Sequence, residues 1–401
     1  MDEEEGIIEE SGSTFFRTLF NLTNATAGIG ILSVPYALSQ GGWLGFISLF
    51  VLATVCCYTG ILLQRCTNGN AQIKSYSDVG ERAFGRKGRI ITSLFTYLEL
   101  YLVAIEFLIL EGDNLSKVLP KAGIEILGWN IKGRKELIML AGIIVLPTMF
   151  LRKLSLLAYI SAGGVLASIA VVVSVFCTGV ESVGFHQKGR LFNFSGIPTA
   201  ISIYAFCYGG HAVYPTIYAS MRNKNRFACI LLSCFLLCTI NYGTMAVTGY
   251  LMFGDDVNAQ VTLNLRAKMV SSKIALYITL INPFTKYALM VAPVAMAIED
   301  MPRINNRIIS SLFIFSIRTL LVISTVVVAL TVPFFGSLMA FIGSFLSSMV
   351  SMVLPCLYYL KISSGRGCKL ELVLVCGILV MGVLIAITGT YSSVKQIVKH
   401  L

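Results

Sequence analysis

Apolar residues in this chain fall into blocks of about twenty, the length an α-helix needs to cross the hydrocarbon of a bilayer. Short polar connectors separate them. The pattern predicts eleven spans, over 15–38, 43–65, 90–116, 136–152, 154–178, 197–220, 227–252, 274–298, 312–333, 337–360 and 370–392. Only Arg152 and Lys153 separate the fourth and fifth, which reads as a tight basic turn. In lipid each backbone polar group must be satisfied within its own segment, so the expected fold is all-α and polytopic.

Composition narrows the class further. Of 401 residues, 56% are hydrophobic and 13% charged, with a mean hydropathy of +0.79. Soluble domains carry roughly a quarter of their residues charged, so neither a soluble fold nor a disordered chain is compatible with these figures. The net charge of +11 is spread over connectors without a basic stripe and interleaved aromatics, which excludes a nucleic-acid partner. The 11 cysteines lie mostly inside apolar blocks and lack zinc-type pairs, so no metal site, disulfide framework or cofactor is expected. Met1 to Ser13 are acidic and without the basic start of a signal peptide, so the first span is expected to stay in the mature chain.

Eighteen of the 31 Lys and Arg residues fall on the side of the amino terminus, twelve on the other, and Lys286 lies within a span. This bias places the amino terminus in the cytosol and the carboxyl terminus on the opposite side. The sequons Asn114-Leu-Ser116 and Asn193-Phe-Ser195 fall on the non-cytosolic side in that orientation. The amphipathic segment 74–89 is expected to rest on the anionic cytosolic leaflet.

Two spans are interrupted. The first reads Asn21-Leu-Thr-Asn24-Ala-Thr26-Ala-Gly28-Ile-Gly30-Ile-Leu-Ser33-Val-Pro35-Tyr36, and the sixth Tyr204-Ala-Phe206-Cys-Tyr208-Gly209-Gly210-His211-Ala-Val-Tyr214-Pro215. Each places glycines ahead of a Val/Tyr/Pro cluster. One such break reads equally well as an ordinary kink. Two breaks five spans apart point instead to a transporter whose unwound backbone lines a cavity. The expected architecture is therefore a five-plus-five inverted repeat. It consists of a tail over 1–13, a first repeat over 14–178, a second over 179–360, and an eleventh helix with a short tail over 361–401.

Ionisable groups at membrane depth add candidate chemistry. Glu99 and Glu106 are seven residues apart on one face of the third span, with Glu111 and Asp113 nearer its end. Lys286 sits in the eighth span at an overlapping depth, so a Glu–Lys pair is possible, either as a coupling device or as a structural pin. His211 is open to two readings: proton coupling, or a neutral ring hydrogen-bonded to unwound backbone. A fixed ammonium at Lys286, beside the first break, would replace a bound cation.

At these residues the chain resembles the amino acid/auxin permease family, most closely its plant vacuolar amino acid transporter branch. The stretches that carry the resemblance span nearly the whole chain in order. They are Gly28-Ile-Gly-Ile-Leu-Ser33-Val-Pro35-Tyr36, Gln40-Gly-Gly-Trp43, Ser75-Tyr-Ser-Asp78-Val-Gly80-Glu-Arg-Ala-Phe84-Gly85, Glu111-Gly-Asp113-Asn114-Leu115, Cys207-Tyr-Gly-Gly-His211-Ala-Val-Tyr-Pro215 and Asn282-Pro-Phe-Thr-Lys286-Tyr287-Ala288. The resemblance implies a LeuT-like fold and proton-linked movement of neutral amino acids across a vacuolar membrane, with the plasma membrane as the alternative. It also implies a substrate site in which Ala25, Thr26, Ala27, Gly28, Ile29 and Gly30 receive the amino and carboxyl groups. Phe206, Tyr208, Gly209 and His211 would wall that site from the sixth span, and Asn282 would reach in from the eighth. Glu99, Glu106, His211 and Lys286 are the candidates for coupling or structural charge. The short tail departs from the long hydrophilic one of many relatives, which argues against a regulatory plug. Its Glu3-Glu-Glu-Gly-Ile7-Ile8 only loosely resembles a dileucine sorting signal.

The partners expected are an amino acid, protons and lipid, acting on a monomer with no cofactor beyond the proton gradient. A channel would need a filter loop or ring of charges, and an enzyme a metal cluster or nucleophile elbow; neither is visible. An amino-acid-sensing receptor without net flux remains the rival from another class.

Overall fold

The computed structural model describes residues 12–70, 72–119, 124–126, 129–131, 133–150, 157–266, 269–300, 307–332, 334–363 and 368–400. The basic turn expected at Arg152 and Lys153, and the tail signal at Glu3 to Ile8, lie outside these residues.

Among the described residues the chain makes eleven helical crossings. Eight are single helices long and apolar enough to span a membrane. The three that fail that test are interrupted. The first is built from Phe15–Thr26, Ile29–Leu32 and Val34–Gly45, the fourth from Arg134–Val145 and Pro147–Phe150, and the sixth from Ile197–Cys207, His211–Val213 and Tyr214–Ala219. The others are Ile47–Thr67, Tyr76–Val118, Leu157–Thr178, Phe227–Phe253, Val270–Glu299, Arg307–Thr331, Phe335–Ser363 and Lys369–His400. Strand structure among the described residues is confined to a hairpin pairing Ile124–Ile126 with Trp129–Ile131, and a single bridge between Ser13 and Met221. The fold is all-α apart from these.

Local sequence sets the ends of the pieces. Pro35, Pro198 and Pro215 each stand in the first turn of a helical piece, where a missing N–H costs nothing. Ser75 and Asp78 form a reciprocal cap at the start of the third span. Gly42 takes φ +70°, and a Cβ there would meet Arg190 and Leu191 backbone atoms at 2.9 Å. The chain turns at that point, and the N–H groups of Trp43 and Leu44 donate to the carbonyls of Arg190 and Leu191.

The segment 74–89 differs from its expectation. The helix breaks at Phe84 and Gly85 and doubles back, with Gly80 packed on Gly88 and Thr92. Tyr76 and Val79 are buried, and the Tyr76 hydroxyl donates to the Val350 carbonyl. Part of the apolar face of this arm therefore packs on the protein's own core, while Phe84 stays exposed. Asn114 also departs from its role as a sequon: it is buried in a helix, and its amide donates to Leu110 O and Gln260 Oε1.

Burial follows the logic of a lipid solvent. The tenth span is enclosed, with 78% of its apolar window buried, against 17% for the ninth and 22% for the eleventh. Leu, Ile, Val and Phe dominate the exposed faces, as an apolar solvent permits. On the amino-terminal side of the bundle the largely buried Arg318 pairs bidentately with Glu299, at 2.7 and 3.2 Å, and also donates to the Met149 carbonyl. This clamp joins the fourth, eighth and ninth spans. Glu299→Ala is expected to cost about 3 kcal/mol, the low end for removing one partner of a buried pair. Thermal unfolding in detergent checks this, and an unchanged melting temperature would contradict it.

Candidate functional site

The first span stops being helical after Thr26 and resumes at Ile29; the sixth stops after Cys207 and resumes at His211. The two gaps meet. A Cβ on Gly30 would lie 2.6 Å from the Cys207 sulfur, so only glycine permits this approach. Tyr242 of the seventh span ties both ends together: its hydroxyl lies 2.8 Å from the Thr26 carbonyl and 3.0 Å from the Cys207 carbonyl. These are the last residues of the two half-helices, where carbonyls lose their intrahelical donors. One buried hydroxyl proton thus serves both breaks.

Beside the gaps lies a cavity of about 130 Å³. The first span contributes Asn24, Ala25, Thr26, Gly28, Ile29 and Gly30, and the sixth contributes Phe206, Cys207, Gly209, Gly210, Ala212 and Val213. Leu100, Val103 and Phe107 of the third span and Met290 of the eighth supply an apolar wall. Three polar side chains complete it: Glu99, Lys286 and Ser347. Ser347 Oγ donates to Glu99 Oε1 at 2.6 Å. Lys286 Nζ points at the first break, 3.4 Å from both the Asn24 and Ala27 carbonyls. A Cβ on Gly28 would find nothing within 4 Å.

The other sequence candidates are placed elsewhere. Ala27 is buried and turns its carbonyl to Lys286. Tyr208 stands behind the cavity wall, stacked on Phe235, with its hydroxyl 2.9 Å from Thr239 Oγ1. His211 is fully buried; its Nε2 lies 3.0 Å from both the Cys56 carbonyl and Thr59 Oγ1 of the second span. Its partners lie in the regular helix of the second span and not in unwound backbone, so the ring docks the resumed sixth span onto its neighbour. Asn282 borders a separate void of about 20 Å³ on the far side of Gly28 and Ile29. Glu106 is fully buried away from the cavity lining, and neither of its oxygens has a hydrogen-bond partner. Among the described residues neither Glu99 nor Glu106 is ion-paired with Lys286; the ammonium is held by backbone carbonyls instead.

Sequence reasoning missed Ser347, Tyr242 and the apolar wall. Ser347 had a signal: Ser344, Ser347, Ser348 and Ser351 recur at helical spacing in an otherwise apolar block. That stretch is wound as a wide π-type helix over Ile342–Ser347 and Met349–Val353, a form common at functional sites. Tyr242 gave none, being one aromatic among many.

On the side away from the amino terminus, Ile31, Leu32 and Val34 are buried and the Ser33 hydroxyl donates to the Ala259 carbonyl at 2.5 Å. The loop that carries Ala259 is latched to the third span, where Gln260 Nε2 donates to Asp113 Oδ2 at 2.7 Å. Asp113 is also paired with Arg134.

A family model described as transmembrane amino acid transporter protein matches residues 11–395. The chain is 47% identical over 407 residues to the Arabidopsis thaliana amino acid transporter AVT1I, covering 99% of both. Among solved structures it superposes on a Na+-coupled sialic acid symporter with a TM-score of 0.56 and 12% identity, over 96% of this chain and 90% of the other. MhsT, solved in complex with L-phenylalanine, gives a TM-score of 0.54 and 13% identity, over 94% of this chain and 100% of the other. The fold is the LeuT-like one, with discontinuous first and sixth helices.

Tyr242→Phe removes the shared donor while preserving shape. It is expected to lower stability by about 1–2 kcal/mol, the scale of a buried hydrogen bond lost from one side. Thermal unfolding would show this as a drop of a few degrees; a melting point equal to wild type would contradict the tie.

Proposed function

The chain belongs to the transmembrane amino acid transporter family, whose members are transport proteins and not enzymes, and on that premise we propose that it carries neutral amino acids across the vacuolar membrane, driven by protons, by alternating access. The observation that carries this reading is the cavity between the paired breaks. Carbonyls at the end of Phe15–Thr26 that Tyr242 and Lys286 do not already take are suited to an ammonium group, and the restart at Ile29 presents N–H groups suited to a carboxylate. Leu100, Val103, Phe107, Phe206 and Met290 offer an apolar surface that suits an uncharged side chain.

Lys286 supports independence from sodium. Its ammonium already sits against two carbonyls of the first break, where a bound metal cation would otherwise find its ligands. The excess of Lys and Arg on the amino-terminal side supports a cytosolic amino terminus. A plasma-membrane symporter is the alternative on the same chemistry.

Purified protein in proteoliposomes, assayed across a panel of amino acids with an imposed pH gradient, tests the proposal. Saturable, gradient-driven accumulation with counterflow is expected; binding without flux would favour a receptor. Gly28→Val should project its side chain into the cavity without disturbing its surroundings. Substrate affinity is expected to fall at least tenfold with insertion and melting temperature retained, and wild-type affinity would remove the site. Lys286→Ala should abolish transport at low sodium, and transport with intact pH dependence would remove the cation-substitute role.

A further inference from the structure

Three carboxyl groups recur every seven residues along the third span: Glu99, Glu106 and Asp113. Seven residues bring a helix within about 20° of the same direction and advance it by roughly 10 Å. The three therefore form a row along one face. Its ends open into different spaces. Glu99 lines the central cavity, and Asp113 lines a second cavity of about 320 Å³ with Tyr36, Asn258, Gln260 and Phe335, towards the face opposite the amino terminus.

Glu106, between them, has no exposed surface and no partner for either oxygen. An ionised carboxylate there would cost several kcal/mol with nothing to offset it. Such a pocket favours the neutral carboxyl, the form that carries a proton. Within electrostatic reach stands Cys207, which lines the central cavity.

Building on the proton-driven reading above, we propose that Glu106 is the proton-binding site of the transport cycle, loaded from the cavity at Asp113 and unloaded towards Glu99. One proton is taken up by the Glu106 carboxylate from water and released to water, with no other bond changed. The spacing is too long for a direct hop, so each transfer requires water entering as the cavity on that side widens. His211, locked to the second span, is not needed for this step.

The other charged and titratable groups around the row are few. Cys207 of the sixth span lies within electrostatic reach of Glu106, the buried Tyr76 lies within that of Glu99, and Lys286 shares the central cavity with Glu99. Arg134 pairs with Asp113, Tyr36 shares its cavity, and Glu111 and Lys117 belong to the third span itself. Of these, Arg134 alone is ion-paired to the row among the described residues.

Glu106→Gln copies the neutral form and cannot cycle. In proteoliposomes the wild type should accumulate amino acid when a pH gradient is imposed, and Glu106→Gln should lose that accumulation at least tenfold. Exchange of labelled for unlabelled amino acid at equal pH, which needs no proton release, should remain measurable and insensitive to pH. A variant that still concentrates substrate under the gradient would overturn the assignment. So would loss of exchange together with gradient-driven uptake in a variant of wild-type melting temperature. Should the variant fold poorly, Glu106→Asp, which keeps an ionisable group, must restore gradient-driven uptake at a shifted pH optimum; absence of that rescue would overturn it. A wild type indifferent to the gradient would sink the proton-driven reading itself, a result separable from failure of the variant alone.

Discussion

A buried hydroxyl holds the centre of this molecule together. Interrupting a helix inside a bilayer strands carbonyls and N–H groups where lipid offers no partner. The chain does this in the first and sixth spans, at Thr26 and at Cys207, and brings both ends to the Tyr242 hydroxyl. The breaks are thereby fixed relative to one another, and the remaining unwound backbone is free to face a cavity. Gly30 makes the approach possible, since any side chain there would overlap the Cys207 sulfur.

The same constraint explains where the charges sit. Lys286 is tolerated at membrane depth because the broken first helix supplies two carbonyls to its ammonium. Glu99 is tolerated because it borders the cavity and accepts a hydrogen bond from Ser347. On the side away from the amino terminus, the hydrogen bonds of Ser33, Gln260 and Asp113 tie the loop over 257–265 to the first and third spans.

Much of this was legible in the sequence because a membrane imposes so few solutions. Block length gave eleven crossings, and the paired glycine runs located both gaps to within a residue or two. The residues near Gly28 and Gly209 and the charges at Glu99 and Lys286 were found because such groups are costly at depth unless they line a cavity. His211 and Tyr208 were harder to place, since a residue's position in a break does not say which way its side chain turns. Both turn to neighbouring spans. Tyr242 was invisible, because its role depends on two carbonyls some 216 and 35 residues away in sequence. The amphipathic arm over 74–89 was only partly legible, since Tyr76 and Val79 pack inwards while Phe84 stays exposed. An apolar face reads the same whether it meets lipid or the protein's own tenth span.

The central claim is that the two gaps in helicity share one binding pocket for an amino acid zwitterion. A structure determined with a saturating neutral amino acid tests it most directly. The account predicts ligand density between Gly28 and Gly209, with the carboxylate towards the backbone N–H groups at Ile29 and Gly30 and the side chain against Val103 and Phe206. Ligand density elsewhere, with this cavity left unfilled, would contradict it.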